Sequence, residues 1–256
     1  QKILRISPVL AVHDLHPDYM TTTLAKELGL PTHGLQHHAA HAHAVLAENG
    51  FSGRALALAL DGTGYGEDGT IWGGEILFVD TRTAAHHRLA RLRPFRLPGG
   101  EAAVREPWRT AQSLLWEVGL RDPDDWSWPW LTHYGQASRF LPQMLEKEIN
   151  SPWTSSCGRL FDGISALAGL CPEISYEGQA AIRLERAQDF SADGRYPLPL
   201  DLGPEPAELD VRETVMAVVQ DLKRSVPAQT VSRRFHRGLV LGLAEAAASL
   251  ARQHGV

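Results

Sequence analysis

The stretch that most limits what this chain can fold into is 54–80, RALALALDGTGYGEDGTIWGGEILFVD. Its apolar opening, RALALALD, is too short for a helix and ends in a glycine-dense turn, so it reads as a buried strand finishing at Asp61. The tripeptide EDG is a strong turn signal, and TIWGGEILFVD reads as the returning strand. The spacing therefore predicts a hairpin, continued by a third strand over 85–92.

The flanking text supplies helices. Upstream, a short strand is expected at Val9 to Val12. A helix capped near Asp18 or Thr21 follows and ends at Gly29. A second, alanine-rich helix covers GLQHHAAHAHAVLAENG and stops at Asn49-Gly50. Downstream, LPGGEAAVREPW is a Pro/Gly loop leading into a helix over 107–119, and DPDDWSWPW is turn material. Helices are then expected over 137–149, 157–169, 178–187, 211–223 and 230–254. Strands mixed with helices put the class at α/β, with a strand-rich lobe over 1–100 and a mainly helical lobe over 101–256.

Composition excludes several classes. At 256 residues and 28.1 kDa the chain has room for one large domain or two modest ones. A hydrophobic fraction of 43% and a charged fraction of 21% argue against bulk disorder. The formal charge of −5 argues against a protein held to nucleic acid by phosphate contacts, although 91–96 (RLRPFR) is a local basic patch. No apolar run reaches the length of a membrane span, and no signal segment is visible. Cys157 and Cys171 lack the spacing of a disulfide framework or a zinc site and fit a reducing cytoplasm. A buried cysteine is more often a small hydrophobe than a nucleophile.

Four of the twelve histidines fall within 37–43. On a helix, His37 and His41 project from one face a turn apart, a spacing that lets two imidazoles share one metal ion. Metalloprotease helices place a glutamate between such a pair, whereas here His38, Ala39 and Ala40 intervene, so that peptidase chemistry is disfavoured. His38 and His43 point elsewhere and read as local hydrogen-bonders or solvent-facing groups. A capping or surface role for the pair competes with ligation. Asp61 weighs toward ligation, because a carboxylate ending a buried strand is costly unless paired or bound to a metal.

Gly62, Gly64 and Gly66, with Thr63, allow close backbone approach to an anion, but they equally suit a plain hairpin turn. The loop lacks the Lys-Ser/Thr of a phosphate-binding P-loop and precedes a strand, which excludes the dinucleotide fingerprint. Asp162, in SCGRLFDGISALAGL, and Gly178, in ISYEGQAAI, stand near helix starts. An acidic residue there either favours the macrodipole or bonds a ribose, and both readings stand.

Taken in order, VHDLHPDYMTT, LQHHAAHAHAVLAEN, LALDGTGYGEDGTIWGGEIL, LPGGEAAVREPWR, SCGRLFDGISALAGL and ISYEGQAAI resemble the HypF carbamoyltransferases of [NiFe]-hydrogenase maturation. The resemblance covers part of their C-terminal domain, an actin-like ATPase (ribonuclease H-like) fold shared with the tRNA threonylcarbamoyl-transferases. It implies that His37, His41 and Asp61 hold an iron or zinc ion. It also implies that Gly62, Thr63, Gly64 and Gly66 lie by the nucleotide phosphate, and Asp162 and Gly178 by the ribose and adenine. The implied reaction moves a carbamoyl group from carbamoyl-adenylate, made from carbamoyl phosphate and ATP, to the C-terminal cysteine of HypE. No catalytic base is assigned.

The chain departs from the pattern in places. The family commonly carries three consecutive histidines where position 39 is alanine here, which leaves the His37–His41 spacing intact. The acylphosphatase, zinc-finger and adenylate-forming modules are absent from the sequence. The first phosphate loop, a late aspartate ligand and the terminal Ser-Gly-Gly segment are absent too, so the sequence reads as an incomplete transfer domain. Two other functions remain open on sequence alone: an O-carbamoyltransferase of antibiotic synthesis, and a non-catalytic module clipped by a structural metal.

Overall fold

The apolar run from Arg54 is a strand, but it does not stop at Asp61. In the computed structural model, which describes residues 6–122 and 127–256, it continues to Tyr65. In chain order the described residues form β1 (Ala11–Asp14), α1 (Met20–Glu27), β2 (Thr32–Leu35) and α2 (His37–Glu48). The hairpin β3 (Arg54–Tyr65) and β4 (Ile71–Asp80) comes next, then β5 (Ala85–Leu92) and β6 (Phe95–Arg96). Helices α3 (Glu101–Arg105), α4 (Pro107–Glu117), α5 (Leu131–Ser138) and α6 (Leu141–Glu146) follow. The chain ends with β7 (Trp153–Thr154), α7 (Cys157–Leu167), α8 (Gln179–Arg186), β8 (Leu200–Asp201), β9 (Ala207–Leu209), α9 (Val211–Lys223) and α10 (Ala228–His254).

Strands β1 and β2 pair in parallel as a sheet of their own. The main sheet runs β6-β7-β4-β5-β9-β8, with β3 antiparallel to β4. The architecture is α/β, as expected, with the hairpin and the third strand where their patterns put them. Several differences have plain causes. The first strand lies at Ala11–Asp14 rather than Val9 to Val12. Strands β2, β6, β7, β8 and β9 have four residues or fewer, too few to show a period. The segment read as a loop at 101–105 is a turn of helix, and the single helix expected over 137–149 is two. Pro142 in the first turn of α6 explains the break, because its ring suits a helix start and not a helix interior. Of the turn read at 122–130, residues 123–126 lie outside the described ones. Trp128 and Trp130 are buried and stack at 5.5 Å.

The main core draws on both sides of residue 100. Ile76, Leu92 and Phe95 of the sheet pack with Trp108 and Leu114 of α4, Leu160 and Ile164 of α7, Val215 of α9, and Phe235 of α10. Each such side chain contributes roughly 1.5–3 kcal/mol by leaving water. A smaller cluster lies under α2, where Ala42 and Leu46 meet Trp72, Leu77 and Val79 of β4. Alternation along the strand turns Leu77 and Val79 away from Ile76, so α2 covers the face opposite the main core. Among the described residues no helix is long and apolar enough to cross a membrane.

Candidate functional site

Between Leu60 and Gly64 the β3–β4 register slips: Leu60 opposes Gly74, but Gly64 opposes Trp72. Four steps on β3 match two on β4, so Asp61, Gly62 and Thr63 form a bulge. Bulges kink a strand and re-aim its side chains. The turn itself comes later, where Gly66 donates to the Thr70 carbonyl at 2.9 Å. The residues read as a glycine turn from 62 onward are therefore first a bulge and then a turn.

The N-terminus of α7 backs the bulge. Ser156 caps that helix by accepting from Arg159 N–H, and its hydroxyl lies 3.0 Å from the Asp61 carbonyl and 2.8 Å from the Gly62 carbonyl. A Cβ on Gly158 would stand 2.9 Å from the Gly62 Cα, so only glycine lets helix and bulge come this close. The Asp61 carboxylate is then steadied by the Gly62 N–H, which donates to Oδ1 at 2.6 Å.

Across the bulge stands the start of α2. Its cap, Gln36, accepts from Ala39 N–H and donates to the Tyr65 carbonyl at 3.2 Å, which ties the helix to β3. The helical spacing then brings His37 Nε2 within 3.2 Å of His41 Nε2 and 3.2 Å of Asp61 Oδ2. Ligand atoms of all three residues fall within 4.8 Å of one another. The close approach requires a bare backbone on β3, since a Cβ on Gly64 would sit 2.3 Å from His38 Cε1 and 2.9 Å from His37 Cδ2. That is the role this geometry gives Gly64, while Gly66 lies against the Trp72 indole.

Of two neighbours, one escaped the sequence reading. Asp14, at the end of β1, accepts from His37 Nδ1 at 2.8 Å. His38, read as a local hydrogen-bonder or a solvent-facing group, is the former: it is buried, its Nδ1 lies 3.3 Å from Gln36 Nε2, and its Nε2, 3.6 Å from Asp61 Oδ2, has no hydrogen-bond partner. Burial holds its pKa below the ordinary histidine value, against the pull of the Glu75 and Asp61 carboxylates. It is buried because α2 docks on the face that carries Gln36, His38 and Ala42. His43 is partly exposed.

Beneath the site lies a buried charge network that nothing in the sequence singled out. The Glu75 carboxylate, fully buried, accepts from the N–H groups of Gly73 and Gly74 and from Arg88 Nε at 2.6 Å. Arg88 also stacks 3.9 Å over the Trp72 ring and pairs with Asp68 at 2.9 Å. A buried carboxylate satisfied this fully costs little to keep and resists rearrangement.

Two cavities share Asp61 and Gly62. One, of about 480 Å³, adds Thr63, Arg105, Arg159, Tyr176 and Glu177 to its walls. The other, of about 440 Å³, is apolar, with Cys157, Phe161, Leu239 and Leu243. Both fall in the range of small-molecule sites. Arg159 is buried on α7, and its Nη1 lies 3.1 Å from Asp162 Oδ2. Burial raises the Asp162 carboxyl to about 6 against the pull of that guanidinium. Asp162 thus stands behind Arg159 rather than on the cavity wall. Gly178 caps α8 with φ 76, directly after Tyr176 and Glu177. Cys157 is buried, and burial pushes its thiol up to about 12, which makes it an inert wall residue.

Comparison with known proteins shows the family and the fold. Residues 57–256 match the family model described as carbamoyltransferase, Kae1-like domain, second subdomain, and residues 1–48 match the HypF Kae1-like domain. The carbamoyltransferase HypF of Rhizobium leguminosarum is 40% identical over 259 residues, covering 99% of this chain and 32% of that protein. HypF2 of Cupriavidus necator is 46% identical over 189 residues, 72% of this chain and 23% of its own length. Among solved structures, full-length HypF in its phosphate- and nucleotide-bound form superposes with a TM-score of 0.88 at 29% identity, over 100% of this chain and 39% of that one. HypF of T. kodakarensis gives 0.82 at 30% identity, over 96% and 33%. The chain therefore spans about a quarter to two-fifths of the length of these relatives. The fold is accordingly the actin-like one that the motifs implied, in incomplete form, and the chain belongs to the HypF carbamoyltransferase family as part of its Kae1-like domain.

Proposed function

We propose that this chain is the transfer portion of an enzyme that moves a carbamoyl group from carbamoyl-adenylate to the C-terminal cysteine of HypE, for the cyanide ligands of [NiFe] hydrogenase. The observation that carries the reading is the convergence of His37, His41 and Asp61 beside a cavity walled by Gly62, Thr63 and Arg159. The donor set suits iron or zinc. Ligands around a tetrahedral ion at about 2.0–2.2 Å stand about 3.3–3.6 Å apart, near the 3.2 Å separations from His37 Nε2 to its two neighbours. Three protein ligands leave a position open, as in catalytic sites. When bound, the ion would polarise a phosphoryl or carbamoyl oxygen.

The chain's own groups do the rest. The phosphate of the adenylate is held over the bulge, with the Gly62 and Thr63 backbone and the α7 N-terminus beneath it and Arg159 beside it. Its base fills the apolar cavity at Phe161, Leu239 and Leu243. The walls keep water from the carbamoyl carbon until the thiolate of HypE arrives. Gly64 and Gly66 support this from one layer back, by admitting the histidine helix and Trp72 respectively. Asp162 acts through Arg159, and Gly178 turns the chain so that Tyr176 and Glu177 reach the wall. Two free cysteines suit a cytoplasmic setting. The strand-rich part to residue 100 would then supply the ion and the helical part the nucleotide walls, with ATP and carbamoyl phosphate handled elsewhere in the enzyme.

A titration with a non-hydrolysable carbamoyl-adenylate mimic tests the site. Binding that weakens at least tenfold in Arg159→Ala, with mass-detected carbamoylation of a HypE C-terminal peptide by the full enzyme lost in the same variant, supports the reading. Unchanged binding and transfer would contradict it. Carbamoylation of a sugar hydroxyl in place of the peptide would instead favour an O-carbamoyltransferase.

A further inference from the structure

We propose that Asp14 is the positioning residue of the ligand cluster: it fixes the tautomer and the direction of His37. The inference rests on the metal-centre reading of His37, His41 and Asp61, and extends it to a residue 23 positions upstream of the first ligand.

The parallel pairing of β1 with β2 sets Asp14 opposite Leu35, just ahead of the residues that start α2. Its two carboxylate oxygens have different partners. Oδ1 accepts the His16 N–H at 2.8 Å, and Oδ2 accepts from His37 Nδ1 at 2.8 Å. The Thr22 hydroxyl donates to the Asp14 carbonyl at 3.2 Å, which anchors the residue to α1 as well. Asp14 is therefore held before it meets the histidine. Both oxygens of the carboxylate face nitrogens, and a carboxylate can only accept from them.

An acceptor at Nδ1 requires the ring proton there. In a neutral ring the Nε2 lone pair is then free for an ion, and it is Nε2 that lies 3.2 Å from both His41 Nε2 and Asp61 Oδ2; without an ion, Asp61 is a second, more distant acceptor for the ring proton. A neutral imidazole without such a partner populates both tautomers and turns about its side-chain bonds. Partners of this kind orient the ring and raise its basicity, and their loss typically weakens metal binding about 10- to 100-fold.

A turn-forming role for Asp14 makes a different prediction, and Asp14→Asn separates the two. Asparagine still accepts the His16 N–H through Oδ1, so the turn survives. Its amide then presents a donor to His37 Nδ1, which drives the ring proton to Nε2 and removes the lone pair. We expect cobalt or zinc affinity, read by chelator competition and by the cobalt ligand-field spectrum, to fall about 10- to 100-fold in Asp14→Asn. The melting temperature of the metal-free chain stays as in the parent. Affinity and spectrum equal to the parent's would overturn the proposal. Long-range nitrogen–proton correlation on metal-free Asp61→Ala, which removes the competing acceptor at Nε2, is an independent readout. Its His37 signals should be those of the Nδ1–H form, and an Nε2–H form would overturn the proposal even if Asp14→Asn failed to fold. A parent chain that takes up no cobalt would contradict the metal-centre reading instead, and the tautomer would still decide for or against Asp14.

Discussion

The two parts of the molecule that meet at the candidate site are built to different standards. From β3 onward the chain has a continuous core, with side chains such as Leu160, Ile164 and Phe235 wholly removed from water. From β1 through α1 there is little to bury. Only Thr22 and Ala25 of α1 are buried, and Met20, Leu24 and Val12 are exposed. Asp61 thus belongs to a bulge clamped between α7 and the Glu75 network. Asp14 belongs to a two-stranded sheet with scarcely any core, and His37 and His41 to a helix held mainly by Ala42, Leu46 and Gln36. The lesson is that one ligand is preset and two are brought to it. An ion bridging them would tie the thinly packed part to the rigid one, so its binding free energy is in part docking free energy for the histidine helix.

The comparison breaks if truncations in the two parts cost the same. Phe235→Ala removes a fully buried ring that meets Phe161 edge-on at 5.0 Å, and should cost about 3–5 kcal/mol in urea unfolding. Leu24→Ala, on a residue 55% exposed, should stay within about 0.5 kcal/mol. Equal losses would show that the first part carries a core of its own weight.

Next in size is the joint itself. Gly64→Ala forces a Cβ into the rings of His37 and His38, and overpacking of that kind costs about 1–3 kcal/mol. Metal uptake should fall with it, because the helix must move off β3. A variant that melts lower yet binds zinc as the parent does would separate docking from ligation and refute the joint.

A smaller effect concerns pH in the rigid part. Asp162 holds its proton more tightly folded than unfolded, since burial raises it to about 6. The stability it contributes is complete below the ordinary carboxylate range and is lost as pH rises through about 6. Asp162→Asn should therefore flatten the stability profile between about pH 4 and about pH 7. An unchanged slope would mean that Arg159 neutralises the carboxylate completely.

The smallest expected signal sharpens the picture. Amides of 11–35 should exchange with solvent well before those of β4, and zinc should slow the early set without altering the late one. Uniform protection across both would contradict the two-part description.

How much of this was legible depends on the range over which each interaction acts. His37 and His41 could be read because helical spacing is local. Asp61 was singled out as the charged end of a buried strand, but β3 runs on to Tyr65 and leaves Leu58 and Leu60 exposed, so only its place beside the histidine helix, and not that premise, stands. The actin-like class followed from motifs in order. Asp14 could not be read, because its partner lies across a parallel pairing whose second strand is THGL, four residues with no apolar alternation. The bulge at 61–63 was hidden, since glycine-rich text looks alike in a turn and in a bulge. Arg159 sat inside a recognised motif, but only the docking of α7 shows that it faces the cavity while Asp162 stands behind. For His38 the choice between a local hydrogen-bonder and a solvent-facing group was left open, because adjacent helical positions point about 100° apart and which of them faces the protein is decided by packing.

Elemental analysis of the purified chain beside His41→Ala tests the central claim most directly, that the histidine helix and the bulge share one ion. The prediction is close to one iron or zinc per parent chain, with the metal lost in His41→Ala and the metal-free melting temperature unchanged. Full metal content in His41→Ala would contradict it, because the ion would then be held somewhere other than between α2 and Asp61.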